Sequence, residues 1–177
     1  IEHGDNHREV YVSAGSHALS FAEIAQKEGL PVTSITGAWL AKHPEYGSSP
    51  ETALDEKAGI ALWHFITGSK AAPSSHWMLL ESGHSYDEMG FLVKRGTQGE
   101  SEMHPVLITA YGEGDRPLIV NAQNWNTPDN HNIVIKGIAF DSGLQIHQGS
   151  NYLLEDLSFK HKGFTVQITD GVTLRNS

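Results

Sequence analysis

The sequence predicts an all-β solenoid, a stack of short parallel strands closed at its N-terminal end by an amphipathic α-helix. Two observations predict the stack. The stretches 132–140, 151–159 and 171–177 superpose as three lines of one pattern, Asn151 lying 19 residues after Asn132 and Gly171 a further 20. Between them, Gly143-Leu144-Gln145-Ile146-His147 returns 20 residues later as Gly163-Phe164-Thr165-Val166-Gln167. Repetition at this period, built from short alternating segments, is the mark of stacked repeats that bury a core only against their neighbours. The third observation predicts the cap: Leu54, Ala58, Ala61, Leu62, Phe65 and Ile66 fall on one face of a helix ahead of the repeats.

Bulk properties bound the function. The chain has 177 residues with 38% hydrophobic content, enough for one core. Its 12 basic against 21 acidic residues argue against non-specific nucleic-acid binding, which needs clustered Lys and Arg. There is no cysteine, which excludes disulfides, thiolate catalysis and cysteine-held zinc. No run of 18 apolar residues is present, so no membrane helix is expected.

In chain order, residues 1–8 are polar and expected to fray. Glu9-Val10-Tyr11-Val12-Ser13 alternates as a strand, and Phe21 to Gly29 fits one helical piece. Residues 31–49 read as a long loop whose Trp39, Leu40 and Tyr46 pack against the body. The capping helix is expected over 50–68, with Ser49 as N-cap and Gly68 as its stop. Strands follow at 77–81, 90–93, 105–111 and 116–120, before a polar insertion at 121–130 and the regular repeats. The expected division is residues 1–75 for the first strand, loop and capping helix, and 76–177 for the first coils. Val172-Thr173-Leu174-Arg175 opens a coil with no cap after it, so the open C-terminal coil is expected to be covered by the rest of a longer protein or by another chain.

The helix, then Trp77-Met78-Leu79-Leu80-Glu81-Ser82-Gly83-His84-Ser85-Tyr86, then Pro105-Val106-Leu107-Ile108-Thr109-Ala110-Tyr111-Gly112-Glu113-Gly114-Asp115-Arg116-Pro117-Leu118-Ile119, resembles the entry segment of the pectate-lyase-like superfamily. The resemblance covers roughly residues 50 to 177. It implies a right-handed parallel β-helix and a relative of polysaccharide lyases, hydrolases, epimerases and phage depolymerases. It also implies a secreted or periplasmic location. The stretch 13–49 is longer than the short turn this family pattern implies. Fold alone does not assign the reaction.

Alternation along the strands sorts the side chains by face. Ile133 and Ile135 stack on Tyr152 and Leu154 and on Val172 and Leu174 as inward positions, and Phe140 stacks on Phe159. Asn132 and Asn151 open equivalent turns, where stacked amides can hydrogen-bond. Lys136, Glu155 and Arg175 form an outward column, read either as a surface charge ladder or as one wall of a groove for an anionic sugar. Lys160-His161-Lys162 reads either as a solvated basic turn or as a uronate site. In the second reading Lys160 and His161 are the catalytic candidates, because a Lys or His near neutrality can remove a carbon-bound proton. Lys136, Glu155 and Arg175 are then the substrate-binding candidates. The histidines show no ligand motif, so no metal ligand is assigned. The cofactor is left open; calcium is compatible with Asp129, Asp141, Asp156 and Asp170 near turns, though no calcium-loop pattern appears.

The function expected is a polysaccharide-active enzyme, a lyase or hydrolase, acting on an acidic glycan outside the cytoplasm. The alternative is a non-catalytic carbohydrate-binding or surface-adhesion module. They differ in whether an acid, a base or a metal meets the cations in one groove.

Overall fold

The computed structural model describes the chain apart from residues 123, 124, 127, 128, 162, 168 and 169. Helices α1 (Phe21–Glu28), α2 (Gly37–Ala41) and α3 (Glu56–Thr67) lie within residues 21–67. The strands are β1 (Glu9–Val12), β2 (Trp77–Glu81), β3 (Ser85–Tyr86), β4 (Val106–Tyr111), β5 (Leu118–Ile119) and β6 (Trp125–Asn126). They continue with β7 (His131–Lys136), β8 (Ala139–Phe140), β9 (Leu144–His147), β10 (Ser150–Glu155), β11 (Ser158–Phe159), β12 (Phe164–Gln167) and β13 (Asp170–Arg175). The described strands form three sheets, in the orders β1-β2-β4-β7-β10-β13, β11-β8-β5-β3 and β12-β9-β6, and every pairing is parallel.

This corrects the expected all-β class. The chain is 18% helical and 32% strand, a mixed α/β fold rather than an all-β solenoid in the sense of a right-handed parallel β-helix. The repeats in the last third dominated the sequence pattern, whereas the helices are not an appended lid. Ile24, Leu40, Leu62 and Trp63 belong to the same buried cluster as Met78, Ile108, Ile133 and Leu154. Helices covering a parallel sheet are the ordinary way such a sheet hides its apolar faces.

Local chemistry sets the helix ends, and here too the sequence reading needs correction. Ser49 caps only a single 3-10 turn at Pro50–Thr52, and α3 starts later, with the Asp55 side chain accepting from the Ala58 N–H at 2.9 Å. Leu54 separates the two because it is drawn into an extended path: its N–H donates to the Tyr11 carbonyl and its carbonyl accepts from Ser13 N–H. Of the expected buried face, Leu54 and Leu62 are fully buried and Ile66 half-buried, but Phe65 is 55% exposed. Gly59 faces Val12 so closely that a Cβ would sit 2.6 Å from a Val12 methyl, which presses α3 onto β1.

The expected strand at 90–93 is absent; those residues form turns, since Leu92 and Val93 are buried and the Trp63 indole N–H donates to the Leu92 carbonyl at 2.8 Å. Residues 31–49 contain α2 rather than one long loop, with Trp39 stacked on His43 and Tyr46 buried. Residues 1–8 do not fray. Glu2 N–H donates to the Met103 carbonyl, Gly4 N–H to the Ser75 hydroxyl, and His3 stacks on His7 against the edge of Trp77.

The repeat itself pairs strands in the register its spacing implies. Tyr152 lies opposite Ile133 and Val172, Leu154 opposite Ile135 and Leu174, and Phe159 opposite Phe140, their rings 5.5 Å apart. Asn132, Asn151 and Gly171 share a left-handed backbone (φ 56, 54 and 72°), a conformation that Asn tolerates and Gly adopts freely. The Asn151 amide donates to the Asn132 side-chain oxygen. One residue past each strand, Gly137, Asp156 and Asn176 repeat the same left-handed turn.

His76, which leads into β2, is 6% exposed, and burial followed by the charges of His7 and Arg8 pushes its pKa down from 6.5 to about 4. The unfolded chain therefore takes up this proton before the folded one does. The stability it bears on is complete above pH 6.5 and is lost as pH falls towards 4, by on the order of 3 kcal/mol. Urea titrations at pH 7, 5 and 4 should show this slope, and His76→Gln should flatten it. Glu56, whose pKa is raised first by burial, works in the opposite direction, so the difference between variant and parent is the quantity to read.

Candidate functional site

The second sheet places Ser85, Leu118, Ala139 and Ser158 side by side, one from each of four parallel strands. This column floors a cavity of about 310 Å³. Three strand spacings make the column about 14 Å long. His84, Asp115 and Arg116 line it at one end, on the turns after β2 and β4, and Lys160 lines it at the other, just past β11. The Arg116 guanidinium donates to Asp156, held in place by the left-handed turn after β10. Lys160 makes no ion pair among the described residues. The lining thus offers an unpaired cation, a guanidinium, and the carboxylate of Asp115, which suits a ligand carrying both an anion and hydroxyl donors.

Behind His84 lies a polar cluster centred on Glu81, the last residue of β2. Its carboxylate accepts a close hydrogen bond from Ser13 and stands 3.5 Å from Nε2 of both His84 and His17. The Tyr86 hydroxyl donates to the Glu81 carbonyl at 2.8 Å. Burial first, then the neighbouring Tyr111 and Glu81, raise the Tyr86 pKa; burial, then Glu81, Tyr11 and Glu51, raise that of Tyr111, against a contact with Ser13. Both phenols stay protonated in neutral solution. Because β1 and β4 flank β2 in register, Ser13 and Tyr111 arrive at Glu81 from stretches far apart in sequence.

The candidates taken from the sequence are distributed unevenly around this groove. Lys160 lines it. His161 turns to Asp141 at 3.4 Å, is 72% exposed and is not part of the lining. Lys162 lies outside the described residues. Lys136 and Glu155, at the ends of β7 and β10 in the first sheet, pair at 3.1 Å. Arg175 lies opposite Glu155 on β13 and makes no ion pair among the described residues. Of the aspartates considered for calcium, Asp129 pairs with Arg95, Asp156 with Arg116 and Asp141 faces His161. Among the described residues no three His, Asp or Glu side chains converge as a metal site, and no helix is long and apolar enough to cross a membrane.

Asp115 and Arg116, like Glu81 and His84, are site residues that sequence reasoning did not single out. For Glu81 and His84 the available signal was local: an acid and a histidine three apart across a Ser-Gly turn, with Gly83 at φ 81° folding one back towards the other. Ser13 gave no signal, being 68 residues from its partner. Comparison with family models, with curated proteins and with solved structures gave no match. The site therefore rests on its own geometry.

Proposed function

We propose that the chain is a polysaccharide-active enzyme of extracellular type whose groove binds an acidic glycan and cleaves it. The observation that carries this reading is the groove itself, a channel across four parallel strands with Lys160, which makes no ion pair among the described residues, on one side and a carboxylate–histidine pair at its end. A channel of this length suits a linear chain of sugar rings rather than a compact metabolite. The resemblance of roughly residues 50–177 to the pectate-lyase-like superfamily of lyases, hydrolases, epimerases and phage depolymerases, a reading of the sequence alone, leads to the same proposal.

Between the two chemistries, the groups present serve elimination best. Arg116 neutralises the carboxylate of the uronate nearest His84, which acidifies the adjacent C–H, while Lys160, further along the groove, holds the carboxylate of another sugar of the chain. With Nε2 turned to Glu81, the Nδ1 atom of His84 is free to take that proton, and the carboxylate steadies the imidazolium that forms. The C–H electron pair becomes the new C=C bond, the glycosidic C–O bond at the next carbon breaks with its own pair, and water protonates the departing oxygen. No oxidant or reductant is required.

The test is product formation on a panel of linear polymers, uronate-containing and neutral, followed by absorbance of the unsaturated end and by new reducing ends. Unsaturated product from a uronate polymer and none from its neutral counterpart is the expected outcome. Lys160→Ala should lower the rate about tenfold or more, the loss of one charged contact, while His161→Ala stays near the parent. Uronate binding with no bond cleavage would instead establish the non-catalytic binding module.

A further inference from the structure

We infer that the chain carries a second ligand site, separate from the groove, for an organic anion with a flat apolar body, formed where the C-terminal end of α3 meets the 94–96 turn. A cavity of about 780 Å³ lies there, within the roughly 300–1,000 Å³ typical of small-molecule sites. Its wall is built closely: Gly96, at φ 85°, passes so near Ser69 that a Cβ would lie 2.5 Å from the Ser69 Cα.

Two features define what fits. On the apolar side, Phe65 is 55% exposed although it belongs to the apolar face of an otherwise well-packed helix, and Ile66 beside it is half-buried. On the polar side, Lys70, Lys94 and Arg95 line the cavity and no carboxylate does. That is a concentration of positive charge in a chain with 12 basic and 21 acidic residues. Arg95 is held by Asp129 at 3.1 Å, whereas Lys70 and Lys94 make no ion pair among the described residues. Two ammonium groups without an ion pair among the described residues, beside an exposed ring, call for a ligand that is anionic at one end and apolar at the other.

His76 gives an independent indication. It lines the same cavity, is more than nine-tenths buried, and its Nδ1 is sealed from solvent without a hydrogen-bond partner. A neutral imidazole carries one N–H, and leaving that donor unpaired in the interior is costly. A ligand oxygen that accepts from Nδ1 would supply the partner this nitrogen lacks. Burial keeps the ring neutral at pH 7, so it serves as a hydrogen-bond donor and not as a third charge.

The experiment is calorimetric titration of the whole chain at pH 7 with 2-naphthoate and, separately, with the uncharged 2-naphthylmethanol. Saturable one-to-one binding of naphthoate is expected, about tenfold or more tighter than the alcohol. Lys70→Glu and Lys94→Glu change exposed side chains and should leave the melting temperature unaltered while each weakens naphthoate about tenfold. Phe65→Ser should weaken both probes together. No saturable binding of naphthoate, equal affinity for the alcohol, or full affinity in the Lys70→Glu, Lys94→Glu double variant would overturn the assignment.

Discussion

Leu62→Asp should abolish cooperative folding. Leu62 has no exposure and sits on α3 among Val12, Leu54 and Trp63 in the shared core. A carboxylate placed there has no partner; the unpaired buried charge costs about 5 kcal/mol and the lost burial of Leu62 a further ~3 kcal/mol, together most of the stability of a domain at the low end for this size. Leu62→Met conserves volume and should cost under about 1.5 kcal/mol, which makes it the control. Circular dichroism melting distinguishes the two. A cooperative melt for Leu62→Asp near the parent temperature would mean that α3 is dispensable and that the mixed core described above is wrong.

The larger functional effect is expected at His84. Replacing it by Gln removes the base while leaving a side chain of similar reach, and loss of general-base catalysis is worth about 100- to 10,000-fold in rate. Stability should change only modestly, since Gln keeps a polar group within reach of Glu81. Glu81→Gln separates chemistry from positioning. Glu81 touches His84, His17 and Ser13 and does not line the groove, so its replacement should move the pH–rate profile more than substrate affinity. If His84→Gln turns over uronate polymer at the parent rate, the dyad is structural and the base lies elsewhere.

Parts of this molecule were legible because their physics is local or periodic. The pairing of Ile133 with Tyr152 and of Lys136 with Glu155 follows from a spacing of 19 residues, and a one-residue slip would turn every apolar side chain outward. The strand Trp77–Glu81 was legible in full from its alternation and flanking turns. The fold class was not. An all-β class makes α3 a lid, and nothing in the helical period states that Gly59 will press against Val12 in the sheet. The start of α3 is hidden from the sequence because Pro50 and Ser49 carry a strong helix-start signal, while the competing backbone bond from Leu54 to Tyr11 spans 43 residues. The site divides the same way. Lys160 was legible as a cation on a turn, but its company in the groove depends on the register of the second sheet, whose strands are two residues each and leave almost no periodic trace. Glu81 is an ordinary strand end until Ser13 and His17 arrive from the stretch that follows β1.

The most direct measurement of the central claim is calorimetric titration of the whole chain with a defined linear oligouronate and with the neutral oligosaccharide of the same linkage. Saturable binding of the oligouronate is expected, weakening with added salt and falling about tenfold or more in Lys160→Ala, with the neutral chain binding at least as much more weakly. Equal binding of the two oligomers, or an unchanged affinity in Lys160→Ala, would contradict the assignment of this groove to an acidic glycan.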